Sequence, residues 1–214
     1  MPPFTVLHVC MGNICRSPMA ERLLTLALRQ RLDRLPVGSA GADVPRAAGS
    51  AVADTLLYSH SAGTGGWHEG EEMNPPAARQ VRARGGDTTG FAARKLRSDQ
   101  IDAADLVLTA TADQQEYVVA LRPDAAGRTF VLGEFGRLLA GVDVAALPPA
   151  EVTPEAVYAR GVALVAAVDA ARQGAPTLPG DDLDDPWGRG DQCFSRVADE
   201  IEETVQPLAA LLLP

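Results

Sequence analysis

The junction near the start of the chain, where a strand-like run passes into a helix-like one, constrains the fold more than any other feature. Residues 4–9, FTVLHV, are rich in β-branched and aromatic side chains, which predicts a short strand. Across residues 17–32 the leucines recur at helical spacing, and Ser17 and Pro18 are typical of an N-cap and a first helical position. Residues 10–17 are therefore predicted to lie at the carboxyl end of a strand, where open α/β sheets bind ligands.

Three further β-rich runs alternate with helical patterns along the chain. The predicted strands cover residues 56–60, 105–109 and 128–132, and the predicted helices cover residues 73–85, 112–121 and 194–205. This alternation predicts an α/β fold, here a small doubly wound parallel sheet of about four strands with helices on both faces. We expect Pro207 to end or kink the last helix.

Length and composition narrow the class of protein. A chain of 214 residues with 46% hydrophobic residues is long enough for one well-buried domain, so we predict a single domain over residues 1–214. The net charge of −9 argues against a nucleic-acid partner, because such binding depends on neutralising phosphates. No apolar run approaches the roughly 20 residues of a membrane span, and no signal-peptide pattern is present. Three cysteines, an odd number, favour reduced thiols, so we expect a cytoplasmic protein without a membrane partner.

The loop CMGNICRS, between the first strand and its helix, predicts an anion site. Backbone N–H groups at a helix N-terminus point at one spot, and the helix dipole adds positive charge there. Gly12 allows close approach of the backbone, and Asn13 tolerates the left-handed conformation that a tight cradle needs. A cysteine in such a field favours the thiolate, which makes Cys10 a nucleophile, and Arg16 can grip two oxygens of a tetrahedral anion. The chain lacks a GxxxxGK[ST] motif in this loop, so ATP or GTP is not the expected ligand.

Transfer of a phosphoryl group to a cysteine also needs a proton donor for the departing oxygen. A phenol has a pKa near 10, so phenolate leaves poorly unless a carboxylic acid protonates it. Asp185 directly precedes Pro186, which restricts its backbone to an extended form and stiffens the loop. Asp181, Asp182 and Asp184 lie in the same loop. Residue types alone leave the choice among these acids open.

At these motifs the chain resembles the low-molecular-weight protein tyrosine phosphatases. VCMGNICRSPMAE resembles the phosphate loop of that family, SAGTGGWHEGEEMNP its second signature, and DPWG its aspartate-proline loop. With FAARKL and ADLVLT, the resemblance covers most of residues 4–36, 56–132 and 181–213. It implies a cysteine-dependent phosphomonoesterase that hydrolyses protein phosphotyrosine, or aryl phosphates, through a phosphocysteine intermediate. No cofactor or metal is predicted, and no oligomeric state.

The resemblance also assigns roles by position. It implies Cys10 as nucleophile, Arg16 as phosphate clamp and Asp185 as general acid, with Trp67 and Trp187 as aromatic walls beside the phosphate. The residues implied to bind phosphate or support the loop are Met11, Gly12, Asn13, Ile14, Cys15, Ser17 and Ser61. Among these, the Ser17 hydroxyl is implied to bond the thiolate, and Asn13 with Ser61 to hold the shape of the loop. An isoleucine at position 14 resembles the tyrosine-directed members, whereas threonine marks relatives that act on phosphoarginine.

Cys15 has two possible roles. If Cys10 is oxidised to a sulfenic acid, a cysteine within disulfide distance can capture it before irreversible oxidation, which would make the enzyme redox-sensitive. Alternatively, Cys15 fills space under the loop.

The chain departs from the family pattern in several places. Phe91 and Thr111 replace a histidine and an aspartate that support the loop in some members. Two insertions are predicted, at about residues 37–55 and 133–180; the first reads as a surface loop. In the second, Thr153 and Pro154 predict the start of a helix over residues 153–172, with apolar surface that includes Val162. We expect this helix to pack on the core; the alternatives are that it covers the catalytic loop or forms a dimer.

Three other functions remain open. An arsenate reductase of the same fold needs further cysteines near the site, and only Cys15 and Cys193 are candidates. A phosphoarginine phosphatase shares the fold. A non-catalytic phosphate-binding or phosphoprotein-binding module is the third, although intact Cys10, Arg16 and Asp185 weigh against it because binding alone needs neither nucleophile nor acid. The histidines lack zinc-ligand spacing.

Overall fold

A parallel sheet organises the fold, with the first strand at its centre. The computed structural model describes residues 1–35 and 49–214. Within them the sheet has four strands in the order β2-β1-β3-β4, all parallel. The strands are β1 (Phe4–Cys10), β2 (Leu57–Gly63), β3 (Leu106–Thr109) and β4 (Thr129–Val131). The predicted α/β sheet is confirmed.

Helices connect and cover the strands. They are α1 (Arg16–Arg34), α2 (Gly49–Leu56), α3 (Pro75–Ala83), α4 (Ser98–Asp102), α5 (Ala112–Leu121), α6 (Leu132–Leu139), α7 (Pro154–Arg172) and α8 (Asp191–Leu212). Short 3-10 turns occupy Pro123–Arg128 and Val144–Ala146. In the part of the chain that the structure describes, no helix is both long enough and apolar enough to cross a membrane.

Side chains on the two faces of β1 belong to two separate hydrophobic cores, as expected for a sheet buried on both faces. Val6 belongs to a large cluster that includes the apolar faces of α1, α6, α7 and α8. Leu7 and Val9 belong to a smaller cluster with Ile101 of α4 and Val118 of α5. Both faces of the sheet are therefore covered, and β1 is held rigidly between them up to its last residue.

The first helix begins differently from the prediction. Helix α1 starts at Arg16 with Cys15 at its capping position, so Ser17 is not the N-cap. The Ser17 hydroxyl instead lies 3.0 Å from the sulfur of Cys10. The physical reason is that a hydroxyl one position inside the helix can reach back into the preceding loop.

The last helix does not end at Pro207. Helix α8 continues through this proline to Leu212. A proline inside a helix forfeits one backbone hydrogen bond and crowds the preceding turn. Beyond it, however, Leu208 and Leu212 are fully buried, and their burial offsets that cost.

The structure contradicts part of the prediction for the first insertion and confirms the helix predicted in the second. Residues 49–55 of the first belong to α2, with Ala53 buried, so the prediction of a surface loop is wrong there; residues 36–48 lie outside the described part. The helix predicted in the second is α7, and the Thr153 hydroxyl accepts a hydrogen bond from the Ala156 amide (3.2 Å). Its packing on the core is confirmed by the buried side chains of the helix. The exception is Val162, which is 44% exposed and does not belong to the core.

Candidate active site

Residues 10–17, here called the phosphate loop, join the carboxyl end of β1 to the start of α1. The carbonyl groups of Cys10 and Met11 accept hydrogen bonds from the amides of Thr64 and Gly65, both at 2.9 Å. These contacts turn the carbonyls outward, towards the segment after β2. Gly63, at the end of β2, permits this approach, because a Cβ there would lie 2.7 Å from the Met11 carbonyl oxygen.

Asn13 organises the polar groups beneath the phosphate loop. Its φ of 55° is left-handed, as the sequence predicts. The side-chain amide donates to the hydroxyls of Ser17 (2.9 Å) and Ser61 (2.8 Å), and its oxygen accepts from the Arg94 amide (2.8 Å). The structure thus brings Asn13, Ser17 and Ser61 into one network.

Cys10 lies at the floor of this arrangement. Its side chain is buried, and its sulfur lies 3.0 Å from the Ser17 hydroxyl. The backbone amide of Asn13 donates a hydrogen bond to the sulfur at 3.3 Å. The sulfur of the predicted nucleophile therefore lies within hydrogen-bonding distance of one backbone N–H donor and one hydroxyl group.

Glu21 extends the network and was missed by the sequence reasoning. The Ser61 hydroxyl donates to its carboxylate at 2.6 Å, and the guanidinium of Arg22 lies 3.2 Å from its other oxygen. Burial raises the pKa of Glu21, while the hydrogen bond from Ser61 and the charge of Arg22 act in the opposite direction. The available signal was its spacing, since a residue four positions after Ser17 lies on the same face of α1.

Arg16 is buried and oriented by the segment near residue 185. One terminal nitrogen donates to the Leu183 carbonyl (3.2 Å), and the other lies 3.2 Å from a carboxylate oxygen of Asp185. Among the described residues, the Nε of Arg16 has no protein acceptor. The plane of the guanidinium is therefore fixed by two neighbours, Leu183 and Asp185.

Residues 181–188, here called the acid loop, contain four aspartates that point to different parts of the fold. Asp181 pairs with Arg137 of α6 (2.8 Å), Asp182 accepts from the first amide of α5 (2.8 Å), and Asp184 pairs with Arg196 of α8 (2.7 Å). The hydrogen bond from Arg196 lowers the pKa of Asp184. Of the four acids, only Asp185 lines the cleft that contains Cys10. The geometry therefore separates the candidates that the sequence left open.

The cleft itself is small, with a volume of about 220 Å³. It is lined by Cys10, Met11, Gly12, Ile14, Cys15, Arg16, Trp67, His68, Asp185 and Trp187. Trp67 and Trp187 are 72% and 56% exposed, so they form the rim and not the floor. No residue of the segment 133–180 lines the cleft, so the alternative that this segment covers the catalytic loop is wrong.

His68 lines the cleft, and the sequence did not predict it. Its ring lies 5.7 Å from the ring of Trp187, and its Nδ1 lies 2.8 Å from a carboxylate oxygen of Glu71. The absence of zinc-ligand spacing had removed it from consideration. Its position directly after Trp67 was the available signal.

The other two cysteines differ in their surroundings. Cys15 is buried in the cleft wall, and burial, together with the charges of Cys10 and Asp185, raises its pKa to about 12. Cys193 is partly buried against the core and does not line the cleft. At neutral pH Cys15 is therefore a thiol that becomes nucleophilic only rarely.

Comparisons with known proteins agree with this geometry. The family model for "Low molecular weight phosphotyrosine protein phosphatase" matches residues 5–58 and 50–146. The low molecular weight protein-tyrosine-phosphatase of Streptomyces coelicolor is 32% identical over 143 residues, which are 66% of this chain and 74% of that protein.

Two solved structures share the fold. The protein tyrosine phosphatase of Entamoeba histolytica superimposes with a TM-score of 0.63 at 18% identity, covering 96% of this chain and 94% of that one. The YwlE arginine phosphatase of Geobacillus stearothermophilus superimposes with a TM-score of 0.58 at 24% identity, covering 97% and 92%. These likenesses confirm the predicted α/β fold.

Proposed function

The chain belongs to the low molecular weight phosphotyrosine protein phosphatase family, a family of hydrolases, and from this premise we propose that it hydrolyses protein phosphotyrosine through a phosphocysteine intermediate. One observation carries the proposal. Cys10 and Arg16 of the phosphate loop line the same cleft as Asp185 of the acid loop, which is far away in sequence, and Arg16 lies 3.2 Å from Asp185. A pure binding site has no use for a nucleophile and an acid side by side.

The first step transfers the phosphoryl group to the enzyme. The Cys10 thiolate attacks phosphorus, an S–P bond forms and the bond to the phenolic oxygen breaks. Asp185, protonated, gives its proton to that oxygen as it leaves. Arg16 and the amides of the phosphate loop hold the equatorial oxygens, where negative charge is concentrated.

The second step returns the enzyme to its starting state. Water attacks phosphorus, the Asp185 carboxylate accepts a proton from that water, and the S–P bond breaks to release inorganic phosphate. Cys10 leaves as a thiolate and again accepts hydrogen bonds from the Ser17 hydroxyl and the Asn13 amide. Leaving-group stabilisation at sulfur is thus supplied by residues adjacent to it.

The depth and rim of the cleft support phosphotyrosine over phosphoserine. The nucleophile is buried whereas Trp67 and Trp187 are exposed, so a substrate phosphate has to reach past the rim to the floor. A tyrosine ring supplies that reach and can contact both indoles, whereas a serine is shorter and has no ring. Ile14 adds an apolar surface inside the cleft.

The alternatives predict different features. An arsenate reductase needs a second reactive thiol near Cys10, but Cys193 is away from the cleft and the raised pKa of Cys15 disfavours its thiolate. A phosphoarginine phosphatase would share the phosphate site, and the arginine phosphatase among the structural neighbours makes this the nearer rival. The substrate therefore has to be decided by direct comparison.

The test is turnover of matched phosphopeptides that differ only in the phosphorylated residue. We expect kcat/KM for the phosphotyrosine peptide to exceed that for the phosphoserine and phosphoarginine peptides by on the order of 10²-fold, a difference of about 2.7 kcal/mol in transition-state binding. Comparable turnover of phosphoarginine would contradict the substrate and leave the Cys10 chemistry in place. Absence of hydrolysis of any of the three, with phosphate still bound, would favour the binding module.

A further inference from the structure

We propose that helix α6 sets the position of the general acid, with Gly133 and Arg137 as positioning residues that act through Asp181 on Asp185. This inference rests on the proposed function, because it assumes that Asp185 donates the proton. It goes beyond that function by assigning a role to a helix that does not touch the cleft.

Gly133 and Gly136 make one face of α6 smooth enough to lie between the acid loop and α8. A Cβ at Gly133 would lie 2.5 Å from the backbone oxygen of Asp181 and 3.0 Å from its Cα. A Cβ at Gly136 would contact the hydroxyl of Thr204 in α8. Since backbone atoms cannot move aside as a flexible side chain can, a side chain at position 133 has to displace the acid loop.

Arg137, which follows Gly136 in α6, binds the carboxylate of Asp181, the residue whose backbone lies against Gly133. Its Nε lies 3.0 Å from one carboxylate oxygen of Asp181, and a terminal nitrogen lies 2.8 Å from the other. The amide of Leu178 also donates to this carboxylate at 2.7 Å. Burial alone would raise the pKa of Asp181, but the hydrogen bonds from Arg137 and Leu178 hold it below its ordinary value. A two-point pair of this kind fixes direction as well as distance.

Between Asp181 and Asp185 the chain is held at every residue. The Asp182 carboxylate accepts from the Ala112 amide (2.8 Å). The Leu183 amide donates to the Ala110 carbonyl (2.8 Å), and its side chain is buried. Asp184 pairs with Arg196 (2.7 Å), so no residue between Asp181 and Asp185 is without a contact to the fold. A displacement at Asp181 must therefore break one of these contacts or move Asp185. A misplacement of about 1 Å at a reacting group can cost roughly 10²-fold in rate.

The test compares substrates that do and do not need the acid. In Arg137→Gln we expect kcat for phenyl phosphate, a poor leaving group, to fall by about 10-fold to 100-fold. For 2,4-dinitrophenyl phosphate, whose leaving group needs no proton, we expect kcat to stay within about twofold. With phenyl phosphate the double variant Arg137→Gln/Asp185→Asn should be no slower than Asp185→Asn alone, because both changes remove the same contribution.

Gly133→Ala is a second test of the inference, and Gly136→Ala is its matched control. Both add one methyl group to the same face of α6, but the first meets the acid loop and the second meets α8. We expect Gly133→Ala to reproduce the selective loss with phenyl phosphate. Gly136→Ala should lower the melting temperature without changing the ratio of the two substrates.

The outcomes separate this inference from the proposal on which it rests. If Arg137→Gln lowers the melting temperature but affects both substrates equally, or neither, the positioning role is overturned while the function of Asp185 stands. Additive losses in the double variant would also overturn it. If Asp185→Asn itself shows no dependence on the leaving group, the general acid is wrong and this inference is overturned with it.

Discussion

The phosphate loop and the acid loop meet in one cleft but are held in place in opposite ways. The phosphate loop is short, and Cys10, Asn13 and Ser17 bond one another directly. The acid loop has little internal bonding of this kind, and its aspartates are tied to α1, α5, α6 and α8. The phosphate loop thus has bonds of its own in addition to its contacts with Ser61, Thr64 and Gly65, whereas the acid loop depends almost entirely on contacts with the rest of the fold.

This difference decides how each loop tolerates change. Under the proposed function, a substitution inside the phosphate loop removes chemistry directly, because the residues assigned to binding and reaction are also the ones that support one another. The acid loop distributes its support over long-range contacts, so changes far from the cleft can alter the position of Asp185 without touching it. The predictions that follow test this contrast, beginning with the largest effect.

Replacement of Cys10 by serine should abolish hydrolysis of aryl phosphates, because an alcohol is not ionised in this site and cannot replace the thiolate. Binding of inorganic phosphate, measured calorimetrically, should survive because Arg16 and the loop amides remain. Cys193→Ser is the matched control and should keep full activity, since Cys193 lies outside the cleft. Retention of about a tenth of the wild-type rate in Cys10→Ser would contradict the assignment of the nucleophile.

Oxidation should reveal whether the phosphate loop also protects itself. After peroxide converts Cys10 to a sulfenic acid, attack by the Cys15 sulfur forms an S–S bond and releases water. Wild type should then recover its activity with a thiol reductant, whereas Cys15→Ser should not. Because burial raises the pKa of Cys15 to about 12, capture should accelerate as the pH rises. Equal recovery of the two proteins would leave Cys15 a packing residue.

In the acid loop, Asp185→Asn should slow hydrolysis of phenyl phosphate by roughly 10²-fold to 10⁴-fold and have much less effect on activated aryl esters. Asp184→Asn is the neighbouring control. Asp184 pairs with Arg196 and lies outside the cleft lining, so its loss should be far smaller. An equal loss across leaving groups in Asp185→Asn, with a selective loss in Asp184→Asn, would transfer the role of the acid.

As the pH falls, the free energy of unfolding should first decrease because of the histidines in β1 and β2. The ion pairs of the acid loop should be affected only at lower pH. Burial, and then the charge of His60, lowers the pKa of His8 to about 3; burial, and then the charge of Arg94, lowers that of His60 to about 4. In the unfolded chain both titrate near 6.5, so below that pH the unfolded state binds more protons and stability falls. We expect a loss of about 1.4 kcal/mol per pH unit for each histidine.

The contribution of Asp181 to stability depends on pH over a different range from that of the histidines. Its pKa is held below the ordinary value, so its stabilisation is complete at pH values above about 3.9 and is lost only as the pH falls further. Urea unfolding at pH 7 and pH 5 should therefore detect the histidines and not Asp181. Burial raises the pKa of Glu21 and of Glu134, so these carboxyl groups oppose the effect of the histidines as the pH falls, and a His60→Gln variant isolates the histidine contribution. His68→Gln is the control, since this side chain lies in the cleft and outside the core. A flat profile over this interval would contradict the prediction.

At the rim, Trp187→Ala should reduce kcat/KM for aryl substrates by about tenfold, which corresponds to loss of about 1.4 kcal/mol of ring contact. The backbone amide of residue 187, which donates to Asp185 at 3.3 Å, remains in this variant. Trp67→Ala is the comparison with the other indole at the rim, and alkyl phosphates are the comparison among substrates. An equal loss with an alkyl phosphate would show that Trp187 acts on something other than the ring.

The sequence could predict the phosphate loop better than the acid loop. The strands, the site of the phosphate loop and the left-handed Asn13 depend on neighbours along the chain, so local pattern and the motif resemblance were sufficient. The position of Glu21 depends on Ser61, which it meets only after β2 and α1 are assembled, and that of His68 depends on Trp187 of the acid loop. The four aspartates of the acid loop could not be told apart, because the partners Arg137, Ala112 and Arg16 lie far away in sequence and Arg196 lies on the following helix. Packing also overrode local preference at Pro207, where buried leucines continue the helix.

The contact between Arg16 and Asp185 means that the guanidinium already has a counterion before any substrate arrives. Under the proposed function, binding of a phosphomonoester is an ion exchange, in which a dianion displaces one carboxylate from the guanidinium. A singly charged competitor such as formate or chloride offers no more charge than the group it would replace, so this exchange would select doubly charged tetrahedral ions. The displaced carboxylate stays beside the bound phosphate and has to take up a proton from solvent before it can protonate the leaving oxygen. Loading of the substrate therefore frees Asp185 from Arg16, and protonation of Asp185 is a separate, later step.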